Sequence, residues 1–144
     1  MPTIFTKIIN GEIPCFKVAE DENFLAFLDI NPNAKGHTLC IPKKEVNKIL
    51  DLDEETYLGL MSFSRKVGKA LEKTVECKRI GMSVIGLEVP HVHVHLIPLN
   101  EMKDATFQHK VKLSNWQTWP RKLELRFKWH QKLKGKQLLR PRRS

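Results

Sequence analysis

Three histidines stand at alternate positions in the run His91-Val92-His93-Val94-His95-Leu96-Ile97. If the run is extended, side chains alternate. The three imidazoles then share one face, and Val92, Val94 and Leu96 share the other. In a helix the same rings would spread over about 200° of arc. Three readings fit such a row. It is a solvated face that happens to be histidine-rich, although half of the six histidines in the chain falling within five residues argues against that. It is a metal site, with His-x-His offering two imidazoles to zinc, copper or iron and a further ligand arriving from elsewhere. Or it is a nucleophilic site, where one neutral ring attacks phosphorus and its neighbours hydrogen-bond the phosphoryl oxygens. A free imidazole has a pKa of about 6.5, so much of it is neutral and nucleophilic at pH 7.

The elements that position this row follow from periodicity. Ile4, Phe5, Ile8 and Ile9 recur at helical spacing, with Gly11 and Pro14 as terminators, predicting a short N-terminal helix. CFKVAED and FLAFLDI are short apolar runs flanking Asp21-Glu22-Asn23, which predicts a hairpin. NPNAKG reads as a loop, and HTLCIP as a third strand. From Asp51 to about Thr74 the period changes. Tyr57, Leu60, Met61, Ser64, Val67, Leu71 and Val75 form one stripe, opposite Arg65, Lys66, Lys69, Glu72 and Lys73. Asp51 or Asp53 is the expected cap, with Glu54 completing a box for Asp51. Arg79 to Gly86 and His91 to Leu99 read as the fourth and fifth strands. The expected class is α+β, a mainly antiparallel five-stranded sheet with one long helix and a short N-terminal helix.

Composition narrows the setting. The length suits a single core. No apolar run approaches the roughly 20 residues of a membrane span, and MPTIFTKIING lacks the basic-then-apolar layout of a secretion signal. Cys15, Cys40 and Cys77 have no metal-like spacing and read as free thiols in a reducing compartment, so the expected location is cytoplasmic. The net charge of +9 is unevenly placed. Residues 1–113 carry 15 basic and 15 acidic residues, whereas 114–144 carry 10 basic residues, the single acid Glu124 and all three tryptophans. The expected division is a folded domain over 1–113 and a basic, poorly ordered tail over 114–144. That tail reads either as an arm for nucleic acid or as a segment translated in a shifted frame near Ser114. Nucleic acid is not expected as a partner, although the basic tail leaves it open.

Residues 91–97 resemble the histidine-triad (HIT) signature, His-φ-His-φ-His-φ-φ with φ apolar. The similarity extends through GEIP (11–14), FLDINPNAKGHTLCIPKK (27–44) and the helix beginning near Asp53, covering roughly residues 2–100. Several expectations follow from that resemblance, closest to the branch that hydrolyses nucleoside phosphoramidates. His93 would be the nucleophile that takes up the nucleoside monophosphate. His91 and His95 would contact the phosphoryl group and aid the leaving group, and His37 would stand near the phosphate. Asp29 would hold the ribose hydroxyls. Ile4, Phe5, Ile8, Ile13 and Ile30 would wall a purine pocket. No cofactor or metal is expected, and the chain would pair as a homodimer that extends its sheet. Within the family, a dinucleoside polyphosphate hydrolase and a nucleotide binder with little catalysis are the alternatives.

The sequence also departs from the family. Many relatives carry Gly-Gln-x-Val-x-His ahead of the triad, where this chain has Gly86-Leu87-Glu88-Val89-Pro90-His91. Leu87 offers no donor, a loss of about two to four kcal/mol of transition-state stabilisation by comparison with oxyanion-hole mutants. Some relatives hold a structural zinc through an N-terminal Cys-x-x-Cys plus a histidine. Thr3, Thr6 and Glu45 occupy those places here, so no zinc is expected.

Overall fold

The computed structural model describes residues 2–108, 110 and 111, so the expectation for the tail at 114–144 lies outside it. The short helix α1 (Ile4–Ile9) begins at Thr3, whose side chain accepts from the Thr6 N–H. It ends before Gly11, which has a φ of +81°. Strands β1 (Lys17–Glu20) and β2 (Phe24–Leu28) form the predicted hairpin. Asp21 Oδ1 makes the turn by accepting from the N–H groups of Asn23 and Phe24, at 2.9 and 2.8 Å. After β3 (Thr38–Pro42) come the long helix α2 (Glu54–Thr74), β4 (Arg79–Ser83) and β5 (Val94–Leu99). The five strands run antiparallel in the order β1-β2-β3-β5-β4.

Strand alternation divides the interior in two. Phe24, Ala26, Leu28, Cys40, Val94 and Leu96 meet Leu60, Phe63, Val67, Ala70 and Leu71 of α2. On the opposite face Leu25, Phe27, Leu39 and Ile41 meet Phe5 of α1. β2 and β3 are therefore buried on both sides, which is why they read as continuous apolar runs and not as alternating ones. Cys15, Cys40 and Cys77 form no disulfide. Among the described residues no helix is long and apolar enough to cross a membrane.

Three expectations change in detail. Asp51 lies in a separate 3₁₀ turn (Ile49–Asp51), so Asp53 occupies the cap position and no Asp51–Glu54 box forms. The helix stripe is rotated slightly. Phe63 and Ala70 belong to the core, whereas Tyr57 is 38% exposed. The fifth strand starts at Val94, not His91. Continuing the Cys40–Val94 register would set Val92 opposite Pro42, which has no N–H to offer, and the Val92 N–H donates instead to the Val46 carbonyl at 2.8 Å.

Core residues and exposed apolar ones should respond differently to truncation. Leu71→Ala, at a fully buried site on α2, is expected to lower the unfolding free energy in urea by about 2–5 kcal/mol. Leu58→Ala, on the same helix but 56% exposed, should change it by less than about 0.5 kcal/mol.

Candidate active site

Although β5 is shorter than expected, the alternation through the histidine run holds. Val92, Val94 and Leu96 enter the core beneath α2, and the three rings lie on the opposite face. Phe5 meets His91 and His93 edge-on, with centroids 5.7 and 5.0 Å away. His93 and His95 are 4.8 Å apart. All three rings are buried, with relative exposures of 0, 6 and 7%. Buried imidazoles need partners, and those partners decide which nitrogen carries each proton.

His93 Nδ1 is 2.7 Å from the backbone carbonyl of His91. A carbonyl only accepts, so Nδ1 holds the proton and the neutral ring keeps its lone pair on Nε2. No described residue hydrogen-bonds that Nε2. His91 Nε2 lies 2.9 Å from the Pro42 carbonyl and donates to it, which leaves its Nδ1 to accept from the Thr3 hydroxyl at 3.0 Å. Thr3 Oγ1 in turn accepts from the Thr6 N–H, and the Thr6 hydroxyl donates to Glu45. Both His91 ring nitrogens are thus engaged within the protein. The expected phosphoryl contact from His91 is not available in this arrangement; what His91 offers the site is its carbonyl.

His37 shows the same logic in a longer chain. Its loop starts from Asp29, whose N–H donates to the His37 carbonyl at 2.9 Å. The loop closes through Gly36, at a φ of +91° and so near Val75 that an added Cβ would lie 2.9 Å from that side chain. The Asn33 N–H donates to His37 Nδ1 at 2.9 Å, so the proton of His37 sits on Nε2 and is donated to His95 Nδ1 at 3.0 Å. His95 must then carry its own proton on Nε2. Burial pushes His37 down to about 3, and His95 down to about 4, with the neighbouring rings and Lys110 adding to both.

Asp29 completes the cluster. Its Oδ2 is 3.6 Å from His37 Nε2, and its Oδ1 accepts from the Asn31 N–H at 2.9 Å. Burial raises its pKa. Because His37 is neutral, the 3.6 Å approach is not an ion pair. Asp29, His37 and His95 bring potential metal ligands within 4.8 Å of one another. The hydrogen bonds oppose that use. Ligation through His37 Nε2 would move its proton to Nδ1, where it would face the Asn33 N–H. As arranged, the group can pass hydrogen-bond direction from Asn33 through His37 to His95.

Of the expected pocket walls, Phe5 and Ile8 pack in the apolar cluster on this face. Ile13 is partly buried, whereas Ile4 and Ile30 are 47 and 74% exposed. Leu87 is 90% exposed and, as expected, supplies no donor. Thr3, Thr6 and Glu45, noticed in the sequence only as departures, form the chain of hydrogen bonds that supports His91. The contributions of Asn33, the Pro42 carbonyl and Phe107 have no local sequence signal.

Comparison with known proteins shows the family and the fold. A family model described as the HIT domain matches residues 10–102. The chain is 44% identical over 109 residues to an uncharacterized HIT-like protein of Methanocaldococcus jannaschii, covering 68% of this chain and 79% of that protein. It is 40% identical over 99 residues to an adenosine 5'-monophosphoramidase of Schizosaccharomyces pombe, covering 68% and 74%. The crystal structure of a Hit-like protein involved in cell-cycle regulation from Bartonella henselae superposes with a TM-score of 0.74 at 32% identity, covering 86% of this chain and 95% of that one.

Two outcomes follow from the hydrogen bonds. His37 and His95 should show neutral-ring NMR shifts from about pH 8 down to about pH 5. Because both folded values lie below the free value of about 6.5, the unfolded chain binds more protons between about pH 4 and 6.5, and stability should fall as pH drops through that window. Thr3→Val leaves the buried His91 Nδ1 without a donor and should cost about 1–3 kcal/mol in urea denaturation. Thr3→Ser, which keeps the hydroxyl, should recover most of that loss.

Proposed function

Because this chain belongs to the HIT domain family, we propose that it is a nucleotide hydrolase or transferase acting on nucleoside monophosphate conjugates of the adenosine phosphoramidate type. The observation that carries the reading is the His93 tautomer. With its proton held by the His91 carbonyl, the ring directs an unengaged Nε2 lone pair away from its own backbone. That is the form a nucleophilic imidazole requires.

In the proposed reaction His93 Nε2 forms a bond to the α-phosphorus. The bond from phosphorus to the leaving nitrogen or oxygen breaks, and its electron pair departs with that atom, which takes a proton from water. The Nε2–H of His95, set by the hydrogen bond from His37, donates to the negative charge that develops on the phosphoryl oxygen or leaving atom. Water then cleaves the phosphorus–nitrogen bond of the nucleotidyl-His93 intermediate and regenerates the ring. Asp29 accepts from the ribose hydroxyls, and Phe5 and Ile8, with Ile4, Ile13 and Ile30, form the walls for a purine. The likeness to an adenosine 5'-monophosphoramidase at 40% identity supports the substrate class.

The same reading includes a homodimer. β4 ends the sheet, with Met82 and the following Ile85 each about half exposed, and a second copy would extend the sheet there. A cytoplasmic location accords with three cysteines in no disulfide. Leu87 favours a second outcome, nucleotide binding with little turnover, because its exposed side chain brings no hydrogen bond to the phosphate.

Incubation of the full chain with labelled adenosine phosphoramidate, followed by rapid quench and peptide mapping, should place acid-labile label on His93. His93→Ala should lose the label and reduce turnover by roughly three orders of magnitude or more, while AMP binding persists. AMP binding by the wild type without label or turnover would leave a binding protein only.

A further inference from the structure

The buried ring pair of the site supplies no cation. His37 and His95 are held neutral, Asp29 is acidic, and Glu88 is near enough to oppose ionisation of Asp29. A phosphate monoester brings about −1.5 to −2 charges at neutral pH. Leu87, in the segment ahead of the triad, has no side-chain donor to offer.

A positive charge arrives from beyond β5. The chain turns back through the 3₁₀ turn Met102–Ala105, and Asn33 Nδ2 donates to the Asp104 carbonyl at 3.2 Å. The residues after the turn lie against the same loop. The Val111 N–H donates to the Pro32 carbonyl at 2.9 Å. Lys110 Nζ donates to Asn33 Oδ1 at 2.9 Å and to the Asn31 carbonyl at 3.2 Å. Lys110 Nζ also stands 5.0 Å from the centroid of the Phe107 ring, whose own centroid is 4.9 Å from that of His95 and 6.2 Å from that of His37. Lys110 is therefore tied to the loop that carries Asp29 and His37, and is separated from His95 by one aromatic ring. Its charge acts on Asp29, His37 and His95 together.

We propose that Lys110, held beside the site by its contacts with Asn31, Asn33 and Phe107, is the cation that meets the phosphate end of a bound nucleotide. The inference rests on the nucleotide reading above and assigns one residue to it. Lys110 is an exposed residue, and its ammonium can exchange an Asn31 or Asn33 contact for a phosphoryl oxygen while the Val111 and Phe107 contacts keep the segment in place. The interaction is one of charge with charge, so it should discriminate between nucleotide and nucleoside.

The test is calorimetric titration of the full chain with AMP and with adenosine, for wild type, Lys110→Gln and Lys110→Arg. Lys110→Gln should weaken AMP binding about tenfold, as expected for one charge acting across a partly solvated gap, and leave adenosine binding unchanged. Lys110→Arg should retain AMP binding. Added salt should weaken AMP binding by the wild type more than by Lys110→Gln. Equal weakening of AMP and adenosine would make Lys110 a fastener of the segment and overturn the proposal, as would unchanged AMP binding. A wild type that binds neither ligand would overturn the nucleotide reading itself, and this inference with it.

Discussion

The hydrogen bond from His93 Nδ1 to the carbonyl of His91 is the contact on which the proposed chemistry depends. An imidazole can attack only through an unprotonated nitrogen, and a neutral ring chooses between two. A carbonyl two residues earlier in the same chain removes the choice. For the carbonyl to point there, His91 must leave the regular ladder, and the end of β3 at Pro42 causes that departure. Pro42 has no N–H for a continuing strand, yet its carbonyl receives His91 Nε2–H. One proline thus ends the ladder and anchors the ring beyond its end.

The other supports are of the same kind. Thr3 caps α1 and holds His91 Nδ1 with the same hydroxyl oxygen, which joins the N-terminal helix to the histidine run across 88 residues of sequence. The helix that brings Phe5 against His93 is thereby fixed by the group that orients His91. On the other side, the backbone N–H of Asn33 sets His37, and His37 sets His95. Each assignment begins at a main-chain N–H or carbonyl, which cannot change its role, so the direction of the whole network is inherited from the backbone. Burial then holds His37 and His95 neutral, and a network of neutral rings keeps its direction through the physiological pH range.

A site made of neutral rings and carboxylates has an electrostatic shortcoming toward phosphate, and the fold places Lys110 next to it. The loop from Asp29 to His37 connects the two features. It carries the acid, the relay histidine and the carbonyl and amide oxygens that receive Lys110, and its compact path depends on Gly36 fitting beneath Val75 and Pro98.

The sequence by itself determined the strands, both helices and the common face of His91, His93 and His95, because each rests on a period of two or 3.6 residues that the chain displays locally. Hydrophobic alternation also settled which side of β5 is core, and the full motif with its upstream segment made the family legible. Only the tertiary structure decided the protons on His91 and His95, since those assignments come from partners 49, 58 and 88 residues away. It likewise decided that both His91 ring nitrogens are engaged while its carbonyl meets His93, that Thr3, Thr6 and Glu45 form a network, and that Lys110 lies against the loop of Asn31 and Asn33. A pattern in sequence records which face a side chain takes; which atoms it meets there depends on the distant segments that folding brings to that face.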